Sequence, residues 1–141
     1  MIKIGLDNGI ILHTKNPVEN IPQELKGRLN VYFNGNEYQY TICYWRKCWN
    51  IRHYVKEIFY CSPEDVDIES MCIEDVKEMW CIINTLNKKK KWEDDSHGGS
   101  IWSYKEIRDV LDHDLLCLEW LIYFMRHHNS DEYRVEFYDS Y

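Results

Sequence analysis

Trp45, Trp49, Arg52 and Lys56 are spaced by four, three and four residues. On a helix turning 100° per residue they fall along one line. Indole planes beside cations stack on bases and hold phosphates, and they equally suit an acidic protein groove or a nucleotide ligand. The same spacing fits two tryptophans packed at a helix–sheet boundary while the cations snorkel to water.

A second group is acidic: Glu64, Asp65, Asp67, Glu69, Glu74, Asp75 and Glu78, with Lys77 the only cation among them. Glu74, Asp75 and Glu78 fall on the outward side of a helix. Carboxylates held there can imitate duplex phosphates and occupy a basic nucleic-acid groove. As a plain solvated face they would keep the chain soluble and favour a helix N-terminus.

Asp114 lies inside an apolar helical stripe, between Val110 and Leu118. A buried carboxylate needs a partner, for which Arg, Lys, His or a hydroxyl are the expected types. It is either a pocket acid with raised pKa or a polar link between helix and sheet. Histidines 13, 53, 97, 113, 127 and 128 make no metal motif, and His113 with Cys117 supplies only two ligands. The six cysteines, at 43, 48, 61, 72, 81 and 117, contain no C-x-x-C pair. No Ser/His/Asp or Cys/His arrangement emerges from spacing. No catalytic residue, metal or cofactor is therefore assigned, and a small hydrolase centred on Asp114 ranks last.

These side chains need elements to hold them. Ile2, Ile4 and Leu6, then Asn8-Gly9, then Ile10 to His13 read as a hairpin. Leu29, Val31 and Phe33, then Asn34-Gly35, then Tyr38, Tyr40 and Ile42 read as another. Near Tyr44 the period changes from two to 3.6, and Tyr44, Cys48, Ile51, Val55, Ile58 and Phe59 share a helical face. A second helix runs from about Ser70 to the basic run Lys88 to Lys91. Residues 92 to 100 form a loop, and Ser103 with Glu106 makes a capping box for a third helix. That helix is apolar nearly all round from Leu115 to Met125, because Leu116, Trp120 and Tyr123 point away from its core stripe. Such a helix is central or covered by a partner, and a homo-oligomer through these three residues would cover it. Tyr133, Val135 and Phe137 alternate as a closing strand. The order ββββ-ααα-β predicts an α+β fold: four N-terminal antiparallel strands in two hairpins, three helices and one C-terminal strand.

At 141 residues, 45% hydrophobic and 15% aromatic, the chain predicts a single domain, 1–141, with a real core. Eleven Tyr and six Trp against four Phe favour partly wet contact surfaces. Residues 1–60 hold eight Lys and Arg against five Asp and Glu, net +3; residues 61–141 hold nine against nineteen, net −10. A basic and an acidic surface can thus face different partners. There is no apolar leader at the start and no stretch long enough to span a bilayer, so reduced thiols and a bacterial cytoplasmic setting are expected.

A short acidic domain with aromatic-rich hairpins and no catalytic signature resembles, over its whole length, the small proteins that phages use against bacterial defences, including anti-CRISPR inhibitors. That resemblance implies binding of an effector nuclease or sequestration of a nucleotide signal, and it assigns no residue. The leading expectation is a non-enzymatic inhibitor of a bacterial nucleic-acid-directed effector with a basic groove, bound through Glu74, Asp75, Glu78 and aromatic anchors. The alternative is a nucleotide-binding protein using Trp45, Trp49, Arg52 and Lys56.

Overall fold

A computed structural model describes residues 7–27, 29–46, 49–59, 68–88 and 104–140. The elements are β1 (Asp7–Thr14), α1 (Gln23–Lys26), β2 (Asn30–Phe33), β3 (Tyr38–Arg46), α2 (Trp49–Phe59), α3 (Ile73–Lys88), α4 (Tyr104–Arg126) and β4 (Tyr133–Ser140). The fold is α+β. Its four strands form one antiparallel sheet in the order β2-β3-β1-β4, so β1 lies between β3 and β4 and pairs with both.

One predicted hairpin stands. Asn34 Oδ1 accepts the N–H groups of Asn36 and Glu37, and Gly35 takes φ 99°, so the turn chemistry of Asn34-Gly35 closes β2 onto β3. The other expected turn does not form: Asn8 and Gly9 lie within β1, paired on both sides. The glycine serves a close approach there. A Cβ on Gly9 would sit 2.4 Å from the Cys43 carbonyl oxygen and 3.0 Å from the Tyr138 ring. The predicted strand at Ile2–Leu6 lies outside the described residues.

The expected change of period at Tyr44 is a β-bulge. Ile10 pairs with Cys43 but Ile11 with Thr41, which leaves Ile42 as the extra residue on β3. Ile42 and Cys43 are therefore both buried, and the inward set switches from Tyr40 and Ile42 to Cys43 and Trp45. Strand continues to Arg46, and α2 starts only at Trp49. Tyr44 and Trp45 are strand residues, which corrects the helical reading of both.

Helices α2, α3 and α4 cover one face of the sheet. Ile10, Leu12, Val135 and Phe137 meet Ile51, Val55, Met79, Ile83, Leu111 and Leu118 in one continuous core. The outer edge of β4 is occupied: Ile68 exchanges both backbone hydrogen bonds with Phe137, and Met71 N–H donates to the Val135 carbonyl. At the opposite edge every residue of β2 is exposed. A short helical turn after Pro22, α1, adds a fourth helix and buries Leu25. The capping box at Ser103 and Glu106 and the loop at 92–100 fall outside what is described. No helix among the described residues is long and apolar enough to cross a membrane.

Candidate functional site

The stripe expected at Trp45, Trp49, Arg52 and Lys56 is not assembled as one surface. Trp45 is fully buried on β3. Arg52 is buried as well, and its Nε–H donates to Asp139 Oδ2 at 2.8 Å, tying α2 to β4. Lys56 is half-buried on α2, and the side chain of Trp49 lies outside the described set. The bulge removed Trp45 from the helix, and Asp139 occupies the guanidinium that a phosphate would need.

Trp45 instead serves Asp114. Its indole Nε1–H donates to Asp114 Oδ2 at 2.7 Å inside the core. The partner is thus an indole, outside the Arg, Lys, His or hydroxyl expected. Burial lifts the Asp114 carboxyl to about 7, while hydrogen bonds from Trp45 and Cys43 pull the other way. Burial pushes the Cys43 thiol up, and the nearby Asp114 and Cys117 add to the shift. Cys117 Sγ lies 3.3 Å from His113 Nε2. Trp45, Cys43 and Asp114 join β3 to α4 through buried polar contacts, as a link between helix and sheet would, while the His113–Cys117 contact stays within α4.

The acidic residues of α3 divide by role. Asp75 Oδ2 accepts the Cys72 N–H at 3.0 Å, and Val76 N–H donates to the Cys72 carbonyl, so Asp75 caps its own helix. Glu74 and Glu78 are exposed. Glu64, Asp65 and Asp67 are outside the described residues.

The most developed surface feature is one that the sequence only half announces. Leu116 and Tyr123 on α4 are 51% and 59% exposed, as their helical angle predicts. The segment after β1 lies alongside them, held by Val18 N–H donating to the buried Tyr40 hydroxyl at 2.8 Å. Between segment and helix run two adjoining clefts of about 580 and 520 Å³ that share Asn20, Trp120 and Tyr123. Trp120, Tyr123 and Leu116 line the groove with Val18 and Leu25 opposite. Four carboxylates, Glu19, Glu24, Glu119 and Glu132, also line it, and among the described residues no Lys or Arg does.

Two histidines close one end. His127 Nδ1–H donates to the Tyr123 carbonyl at 2.8 Å and His128 Nδ1–H to the Phe124 carbonyl at 2.9 Å. Because a carbonyl only accepts, each Nδ1 carries a hydrogen. The His128 ring also stacks on Phe124 at 3.9 Å. The sequence signal was available in the two i,i+4 aromatic–His pairs of Tyr-Phe-Met-Arg-His-His.

On the open face of the sheet, His13 is 3% exposed between two carboxylates. Nδ1 lies 3.0 Å from Glu37 Oε1 and Nε2 2.5 Å from Glu136 Oε1, with Arg134 beside both glutamates. Tyr44 donates to Asp7 on the same face. Burial there raises Tyr138 to about 12, helped by Tyr44, Asp7 and Glu136. Among the described residues no three His, Cys, Asp or Glu side chains converge to hold a metal ion.

No protein-family model matches this chain, and neither the curated proteins nor the solved structures contain a match to it. The functional reading therefore rests on the surface itself.

Proposed function

We propose that this is a non-enzymatic binding protein that takes a basic, apolar-edged element of a bacterial nucleic-acid-directed effector into the groove along α4. The supporting observation is the groove's composition: an aromatic floor from Trp120 and Tyr123 beside four carboxylates, with no Lys or Arg lining it among the described residues. Aromatic side chains in such a trough act as anchors, and carboxylates around them select a cationic partner. Enzymes that handle nucleic acid carry basic surface elements of that kind. The resemblance to small phage inhibitors supplies the setting, in which capturing such an element blocks the effector.

The exposed Glu74 and Glu78 of α3 offer a second acidic face for the same class of partner. Asp75 is committed to its cap, and Arg134 and Glu74 line one shallow cleft, so this face is less uniformly acidic than the α4 groove. A second copy of the chain could also cover Leu116, Trp120 and Tyr123. Like charge opposes it, since each copy brings the same carboxylates and a net charge of −7. A nucleotide at the Trp45–Lys56 stripe gains no support, because Trp45 is buried and Arg52 is paired.

The test is inhibition of purified defence nucleases by the protein and by two variants. Trp120→Ala with Tyr123→Ala should abolish inhibition, while Glu74→Lys with Glu78→Lys should leave most of it. The reverse ranking moves the interface to α3, and no inhibition of any effector removes the reading. Light scattering supplies the control: a dimer that Trp120→Ala dissolves would put a second copy in the groove.

A further inference from the structure

A separate cleft lies on another side of α4, where it packs against α3. It has a volume of about 450 Å³ and is lined by Lys77, Trp80 and Cys81 of α3 and by Glu119, Ile122 and Arg126 of α4. The spacings explain the convergence. Lys77, Trp80 and Cys81 lie within one helical turn, and Glu119, Ile122 and Arg126 follow each other down one side of α4. Two cations thus come from two different helices to one depression.

Three features set it apart. Lys77 and Arg126 are both exposed, and among the described residues neither forms an ion pair. The Trp80 indole Nε1–H is buried and has no hydrogen-bond partner there. Ile122 and the half-buried Trp80 ring supply apolar surface beside those donors. Opposing them is Glu119, whose charge, with the −7 of the whole chain, repels a bare anion.

We propose that the cleft between α3 and α4 binds a small organic oxyanion. Its phosphate or carboxylate is held by Lys77 and Arg126, and its flat apolar body lies against Ile122 and the Trp80 ring. The cations provide charge-assisted hydrogen bonds, and the apolar contact overcomes the repulsion that excludes inorganic ions. Cys81, exposed at the same cleft, is shielded when the ligand is in place. The cleft shares Glu119 with the α4 groove and no other described residue.

The experiment follows the Trp80 indole N–H resonance, identified by its disappearance in Trp80→Phe. Four probes are titrated: adenosine monophosphate, 2-naphthoate, inorganic phosphate and adenosine. At least one of the two organic anions should move that resonance saturably and slow alkylation of Cys81 by iodoacetamide. Inorganic phosphate and adenosine should each bind at least about tenfold more weakly. Lys77→Ala and Arg126→Ala, both at exposed positions, should each weaken binding by about tenfold. Trp120→Ala should leave it unchanged, which keeps this result apart from that of the groove. Which organic anion binds tells a phosphate from a carboxylate ligand. The proposal is overturned if neither moves the resonance up to about 10 mM. It is overturned equally if the shift survives loss of both cations, or if adenosine binds as well as its monophosphate.

Discussion

Asp114 and Gly9 are the single residues on which the geometry weighs most. The Asp114 carboxyl ionises at 3.8 in an ordinary setting and at about 7 in the fold. Between those values the folded state holds a proton that the unfolded state has released, so stability falls as pH rises through that window and is level above it. The loss attributable to this group is on the order of 4 kcal/mol. Asp114→Asn keeps an oxygen for the Trp45 N–H and cannot ionise. Urea denaturation at stepped pH should show wild type losing stability relative to the variant between about pH 4 and 7; parallel curves would refute the assignment. Gly9 is constrained by backbone. A methyl group there meets a carbonyl oxygen at 2.4 Å, an atom that cannot swing aside. Gly9→Ala should cost about 3 kcal/mol by the same measurement, whereas alanine at Gly27, where nothing lies within 4 Å, should not.

At the level of elements, His13 fastens three pieces of chain. Its ring spans from Glu37, in the β2–β3 turn, to Glu136 on β4, while the residue itself sits on the central strand. Two carboxylates face its two ring nitrogens from opposite sides, a bridge that a single amide group does not span. His13→Gln should therefore destabilise by about 2 kcal/mol and loosen the β2–β3 hairpin first, seen as faster amide exchange at Tyr38 and Tyr40 than at Val135. Uniform exchange would assign His13 to the sheet as a whole. The hairpin itself was readable because its instructions are local, an Asn-Gly pair between two alternating runs. The Asn8-Gly9 pair carried the same letters but answers to Tyr138 and the bulged Cys43, one far away along the chain. The bulge is also why Trp45 and Arg52 looked like neighbours on a helix: one extra residue, Ile42, broke the alternation and imitated the start of a new period. The outward positions of Leu116 and Tyr123 were legible from helical angle alone, whereas Trp120 between them is half-buried against the core. What they face was not, because that depends on the segment at 16–25 folding back against α4.

For the molecule as a whole, charge and aromatic surface should act at different stages of binding. On the proposed function, the −10 carried by residues 61–141 and the four groove carboxylates would attract a basic partner from a distance. That pull is screened beyond about 8 Å at physiological ionic strength, so the carboxylates in the groove count for more than the rest. They set the rate of encounter. Trp120 and Tyr123 lose water only once the partner is seated, so they set how long it stays. With an inhibited effector immobilised for surface plasmon resonance, Glu24→Lys with Glu119→Lys should slow association severalfold and flatten its dependence on salt. Dissociation should hardly change. Trp120→Ala should do the opposite, raising the dissociation rate by roughly 30-fold, the equivalent of about 2 kcal/mol, at an unchanged association rate. A Trp120→Ala variant that instead slowed association would mean that the aromatic floor shapes the groove before the partner arrives, and that the acidic rim alone does the binding.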